Sequence, residues 1–206
     1  MGIIYRRALE SGSGKWWHDH GGEPSAFSVR DYADAVVPPL RGLGIRILIE
    51  PGRFLVGNAG VLLTRVSYIK QTGGKKFAVV DAGMNDLIRP ALYHSYHEIV
   101  PCMASAAADA DPSISMSKSE SLSKIDIVGP VCESGDFFAL DREMPEVHEG
   151  DLLAIMSAGA YGFVMASNYN SRPLPAEALV RGDKFALIRK RQTWEDLVRG
   201  EVDEGQ

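Results

Sequence analysis

The chain has 206 residues, 45% of them apolar and 24% charged, an ordinary globular composition with room for one large domain or two small ones. A formal net charge of -5 with no basic stripe excludes a typical nucleic-acid binder, and no apolar run approaches the roughly 18 residues of a membrane-spanning helix. Two cysteines, Cys102 and Cys132, make neither a disulfide framework nor a metal site. The close pairs His18/His20 and His94/His97 lack a zinc-binding pattern and read as solvated or packed. Met1 to Arg7 lacks an apolar leader, so a cytoplasmic protein is expected.

In chain order, Gly2 to Tyr5 is a strand-like fragment that needs a partner strand. Residues 11–26 read as an irregular loop, anchored to a surface by Trp16 and Trp17. Ser28 can cap a helix, with Asp31 completing a capping box, and Tyr32, Val36, Leu40 and Leu43 recur at helical spacing. Pro38 and Pro39 should kink or end that helix, because an interior proline costs about 3 kcal/mol or more. Gly42 and Gly44 close it. Ile45, Ile47, Leu48 and Ile49 then predict a strand buried on both faces, stopped by Glu50-Pro51-Gly52-Arg53. Helix, turn, buried strand and polar turn follow the rhythm of a (β/α) barrel or doubly wound sheet, whose active sites lie at C-terminal strand ends.

The texture changes after a short helix over residues 54–60. Val61 to Lys70 and Phe77 to Asp81 are strands flanking Thr72-Gly73-Gly74, a hairpin. Further strands are expected over residues 125–128, 137–140, 152–156 and 185–189. The fold class is therefore α/β plus all-β, with a boundary near Val61: residues 1–60 close a barrel, and residues 61–206 form a mainly β domain. Residues 103–124, rich in Ala, Ser and Asp, bury too little to offset their ordering entropy and read as a mobile insertion. Thr193 caps a last short helix with acidic first-turn residues, and residues 201–206 are an acidic tail.

Four polar clusters fall at the ends of these elements. Glu50 and Arg53 flank a proline and a glycine; a plain turn with a surface ion pair and a ligand site are equally open. Arg89 and Tyr93, four apart, fall on one helical face and suit a carboxylate, or are a surface Arg and a half-buried core Tyr. Cys132, Glu133, Ser134 and Asp136 share a glycine-bounded loop, where the cysteine is an acid, a nucleophile or a small buried hydrophobe. Tyr161 lies among small residues, followed by Ser167-Asn168-Tyr169-Asn170, and is a ligand contact or a packed aromatic.

In this order EPGR, RPALY, GPVCESGD and GAYG with SNYNSRP resemble the C-terminal half of the diaminopimelate decarboxylases, members of the alanine-racemase-like, fold type III group of pyridoxal-phosphate enzymes. The opening GIIYR resembles the segment after that family's glycine-rich phosphate loop. The resemblance implies a TIM-like barrel followed by a β-barrel or sandwich domain, with pyridoxal 5'-phosphate as cofactor. It implies that Glu50 partners the pyridine nitrogen, and that Pro51, Gly52, Arg53 and Tyr161 help hold the cofactor. Arg53, Arg89, Tyr93, Glu133 and Tyr161 would meet the substrate, and Cys132 would be the proton donor, acting across a homodimer interface. The reaction implied is decarboxylation of meso-2,6-diaminopimelate to L-lysine and CO2, in lysine biosynthesis. An ornithine- or arginine-type decarboxylase is the nearest alternative, and a non-catalytic truncated paralogue pairing with a full-length subunit is another.

The sequence departs from the family at one point. The lysine that tethers the cofactor lies on an early barrel strand, and none of Lys15, Lys70, Lys75, Lys76, Lys118, Lys124, Lys184 and Lys190 has its context. A truncated chain, inactive alone, is expected.

Overall fold

The computed structural model describes residues 1–6, 28–102 and 122–202. The expected loop over 11–26 lies outside them, as do the expected acidic tail over 201–206 except for residues 201 and 202, and the expected insertion except for residues 122–124, which open a strand.

Among the described residues nine strands form one sheet. They are β1 (Gly2–Arg6), β2 (Gly60–Thr72), β3 (Lys75–Val80), β4 (Ile99–Pro101), β5 (Leu122–Val128), β6 (Phe137–Pro145), β7 (Leu152–Ile155), β8 (Ala176–Arg181) and β9 (Lys184–Arg189). The main path runs β6-β5-β3-β2-β1-β8-β9, with β7 on β2 and β4 on β7. The organising strand is β2. Gly60, Leu62, Thr64 and Val66 alternate inward, as period-two patterning requires. Its first half pairs with β1 and β7, and its second half with β3 beyond a register shift between Val66 and Tyr68. Gly73 and Gly74 both have positive φ, 59° and 80°, the backbone of a two-residue hairpin turn.

The core joins Ile3, Leu62, Val66, Val80, Leu87, Ile125, Ile127, Phe138, Leu153 and Ile155. Ile3 is fully buried, opposite Leu62, so the opening fragment finds its partner strands in β2 and β8. Tyr5 Oη donates to Glu177 Oε1 at 2.8 Å, and Arg189 pairs with the same carboxylate, linking β1, β8 and β9. Burial raises the Tyr5 phenol above its ordinary pKa, aided by Glu177.

Among the described residues four α-helices accompany the sheet: α1 (Val29–Leu40), α2 (Gly52–Val56), α3 (Arg89–Tyr93) and α4 (Trp194–Val198). The capping boxes of α1 (Ser28, Asp31) and α4 (Thr193, Asp196) form as expected, and α1 ends one residue after Pro39.

Two expectations are corrected. Residues 45–49 form no strand: they lie in an extended stretch without ladder partners, with Ile45, Ile47, Leu48 and Ile49 between 45% and 77% exposed. A parallel barrel strand gains its hydrogen bonds and its cover from neighbours, and no described residue supplies either. The described residues accordingly form no (β/α) barrel, and the sheet domain is the part of the expected architecture that is present.

Candidate active site

The turn before α2 is built from the backbone. Gly52 N–H donates to the Glu50 carbonyl at 2.9 Å, and Leu55 N–H to the Pro51 carbonyl at 3.0 Å. Glu50 is exposed beside Pro51 and Gly52, while Arg53 is half-buried.

The segment after α2 meets the loop carrying Tyr161. Gly159 N–H donates to the Gly57 carbonyl at 2.9 Å, Ala158 N–H to the Gly60 carbonyl at 2.8 Å, and Ser157 Oγ to Asn58 Oδ1 at 2.7 Å. At Gly159 a Cβ would overlap the Val56 carbonyl oxygen and lie 2.8 Å from Gly60 N and 3.0 Å from the Gly57 oxygen. All three are backbone atoms and cannot swing aside. Gly159→Ala is therefore expected to destabilise the chain by an amount at or beyond the upper end of the about 1–3 kcal/mol typical of overpacking. Urea unfolding at neutral pH measures it, and an unchanged midpoint contradicts the close crossing. In the same loop Ser157 and Tyr161 hold φ of 58° and 57°, left-handed conformations that cost non-glycine residues of order 1–3 kcal/mol each and cluster at functional sites. Tyr161 is half-exposed.

On α3 the expected pair divides. Arg89 is buried, with Nη1 3.5 Å from His97 Nε2, whereas Tyr93 is 53% exposed. The plain alternative of a surface Arg and a core Tyr is reversed.

The Cys132 loop hangs on Asp136. The Asp136 carboxylate accepts from Met84 N–H and Val131 N–H, each at 2.6 Å, and its carbonyl accepts from Gly129 N–H at 2.9 Å. Burial pushes this carboxyl above its usual pKa against the pull of both amides. With the loop closed this way, Cys132 and Glu133 project outward, and Cys132 is exposed, not a buried hydrophobe. Glu133 Oε1 accepts from Gly135 N–H at 3.3 Å, and Oε2 from Tyr169 Oη at 3.3 Å. That bond to Glu133 raises the Tyr169 phenol.

A second buried knot holds the Met84 turn to the Tyr169 segment. Asp86 Oδ2 accepts from Gly83 N–H at 2.8 Å and lies 3.7 Å from Arg172 Nη2, which donates to the Asp81 carbonyl at 2.6 Å. Burial lifts the Asp86 carboxyl from 3.8 to about 6, outweighing the Gly83 amide and Arg172. A raised carboxyl favours the folded state while protonated: its contribution is complete below pH 3.8 and is lost as pH rises through about 6. Relative to Asp86→Asn, the native chain is expected to lose stability across that interval. Urea midpoints from pH 4 to 7 for both chains check this, and a constant difference contradicts it.

The structure thus joins the Met84 turn that precedes α3 to the third cluster through Met84–Asp136, the third to the fourth through Glu133–Tyr169, and the segment after α2 to the Tyr161 loop through Gly57, Asn58 and Gly60. Asn58, His97, Asp136, Tyr169 and Arg172 were given no individual role from sequence. The signal available for three of them was position, inside the motifs GPVCESGD and SNYNSRP. His97 is buried, as the packed reading allows, and His94 occupies the left-handed C-cap of α3.

This fold and these motifs agree with known proteins. Residues 11–159 match the family model of the pyridoxal-dependent decarboxylases, C-terminal sheet domain, and the chain belongs to that family. Its relatives narrow the class. The diaminopimelate decarboxylase of Aquifex aeolicus is 47% identical over 84% of this chain and 38% of its own length, and that of Methanothermobacter thermautotrophicus is 53% identical over 78% and 35%. The crystal structure of Helicobacter pylori diaminopimelate decarboxylase complexed with L-lysine is 44% identical, with a TM-score of 0.71 over 84% of this chain and 39% of its own. The chain thus spans about two fifths of the length of the relatives it matches.

The family's cofactor is pyridoxal phosphate, and the donor set here fits part of it. A carboxylate at Glu50, and Gly52, Arg53 and the Tyr161 hydroxyl on two turns locked by Gly57 and Gly159, suit the ring nitrogen and the phosphate. The described lysines lie away from these two turns in sequence. Lys75 pairs with Asp126 and Asp141 and Lys76 with Glu146, while Lys70, Lys124, Lys184 and Lys190 are exposed on or just beyond β2, β5 and β9.

Proposed function

We propose that this chain is the substrate-recognising, acid-supplying portion of a diaminopimelate decarboxylase, cleaving meso-2,6-diaminopimelate to L-lysine and CO2 in the cytoplasm. The observation that carries the reading is the Cys132–Glu133 tip: a thiol and a carboxylate projected side by side, with Asp136 bracing the loop and Tyr169 aiming Glu133.

Pyridoxal phosphate, when bound, supplies an electron sink for the bond that breaks, provided its ring nitrogen stays protonated. Glu50 would keep that proton, and Gly52, Arg53 and Tyr161 would bind the phosphate. Arg53 and Tyr161 would also meet the substrate. The substrate carries a second amino-acid centre remote from the reacting one. Arg89 and Tyr93 receive its carboxylate and Glu133 its ammonium, while Cys132 Sγ donates the proton that replaces CO2.

The same reading assigns residues 28–59 to the end of a barrel. Among them Gly57 alone is buried, although α1 and residues 45–49 are rich in large apolar side chains, as expected of faces made for another layer. It also makes the enzyme a homodimer in which the Cys132 loop completes the partner's site. The reading favours diaminopimelate over ornithine or arginine, because Arg89 with Glu133 answers a second zwitterion that ornithine lacks.

The test is a fused enzyme, with this chain placed behind the N-terminal portion of the Aquifex aeolicus relative so that a tethering lysine is present. Incubation with 13C-carboxyl meso-diaminopimelate is expected to yield labelled CO2 and L-lysine. A folded, cofactor-loaded fusion that releases neither overturns the proposal.

A further inference from the structure

We infer that His97 is a positioning residue for Arg89, fixing the guanidinium that the proposed function assigns to the substrate's remote carboxylate; the inference rests on that assignment. His97 is 1% exposed, just before β4. Its Nδ1 lies 2.7 Å from the Met156 carbonyl oxygen. A carbonyl can only accept, so Nδ1 carries the hydrogen. In the neutral ring Nε2 then presents its lone pair, and it faces Arg89 Nη1 at 3.5 Å. A guanidinium has donors only, so the polarity of the chain is fixed: Arg89 donates to His97, and His97 donates to Met156.

The imidazole is itself held. Its own carbonyl accepts from Arg142 Nη1 at 2.9 Å, and the Arg142 guanidinium lies 4.1 Å over the Tyr96 ring. Met156 N–H donates to the Glu98 carbonyl at 2.8 Å, continuing the β4–β7 ladder in which Ile99 faces Ile155. Met156 directly precedes the strained loop that carries Tyr161. His97 therefore couples two parts of the site, the Arg89 shoulder and the Tyr161 loop, through one ring. A phenyl ring would fill the same space but would remove this acceptor from the guanidinium. A glutamine can both accept and donate, so it preserves the function in part.

The experiment starts with the full 206-residue chain. Imidazole 15N resonances are expected to place the His97 hydrogen on Nδ1; a hydrogen on Nε2 alone overturns the inference. Arg89 Nη resonances are expected to broaden and exchange faster in His97→Phe and to recover in part in His97→Gln; an Arg89 signal indifferent to both overturns it. In the fused enzyme, His97→Phe is expected to raise KM for meso-diaminopimelate about 10-fold with kcat within about twofold, the signature of lost ground-state binding, and His97→Gln to restore part of it. A fall in kcat at unchanged KM contradicts a positioning role. If the unsubstituted fusion is inactive, the proposed function fails on its own, and the resonances still decide His97. Should His97→Phe not fold, the ring hydrogen and His97→Gln decide it.

Discussion

Cys132→Ala in the fused enzyme is expected to lower kcat on meso-diaminopimelate by about 10²–10⁴, the range of a positioned general acid. The fold should be untouched. Cys132 is exposed at a loop tip whose closure depends on Asp136, Val131 and Gly129, and its thiol packs no core. Stopped-flow rates and an unchanged urea midpoint check both halves. The reading further requires the thiol to serve the neighbouring subunit. Mixing Cys132→Ala protomers with protomers that lack the tethering lysine should regenerate activity, because one site of each mixed pair is then complete. No recovery contradicts a shared site, and full activity of Cys132→Ala contradicts the acid role.

Asp136→Ala should act on stability and site together. Its carboxylate accepts from two amides at 2.6 Å in a buried setting. Each buried donor left unsatisfied costs about 1–3 kcal/mol, so a loss of about 2–6 kcal/mol is expected. Asp136→Asn keeps one acceptor and should lose roughly half as much. Because the two amides belong to the Met84 turn and the Cys132 loop, the surviving enzyme should also show a raised KM, since Arg89 and Glu133 lose their common brace. Urea unfolding of the three chains measures the first effect and steady-state kinetics the second. Equal stability for all three would show that the loop does not depend on this carboxylate.

Several elements were legible because the code for them is local. Ser28 with Asp31 and Thr193 with Asp196 are complete capping boxes within four residues, and Gly73-Gly74 supplies two positive φ angles between β-branched runs. Residues 45–49 were misjudged for the opposite reason. Their apolarity states that they need cover, but not which neighbours provide it, and the described residues offer none. The strands β4 and β8 went unseen. Three residues ending in Pro101 carry too little pattern, and β8 places Glu177 inward, where Tyr5 and Arg189 satisfy it from β1 and β9. The site followed the same division. Side chains in compact motifs, such as Cys132, Glu133 and Tyr161, could be singled out as candidates, and the family resemblance supplied their expected roles. The residues that hold them could not. Asp136 reaches Met84 across 52 positions and His97 reaches Met156 across 59, so their roles exist only once the sheet has closed.

The claim that this sheet domain selects the substrate is tested most directly by the ratio of kcat/KM for meso-diaminopimelate to that for ornithine in the fused enzyme, before and after Arg89→Gln. Ornithine has a remote ammonium but no remote carboxylate, so loss of the charge that receives the carboxylate is expected to cut that ratio about 10-fold or more, through diaminopimelate alone. A ratio that stays constant, or an unsubstituted enzyme that prefers ornithine, would contradict the account.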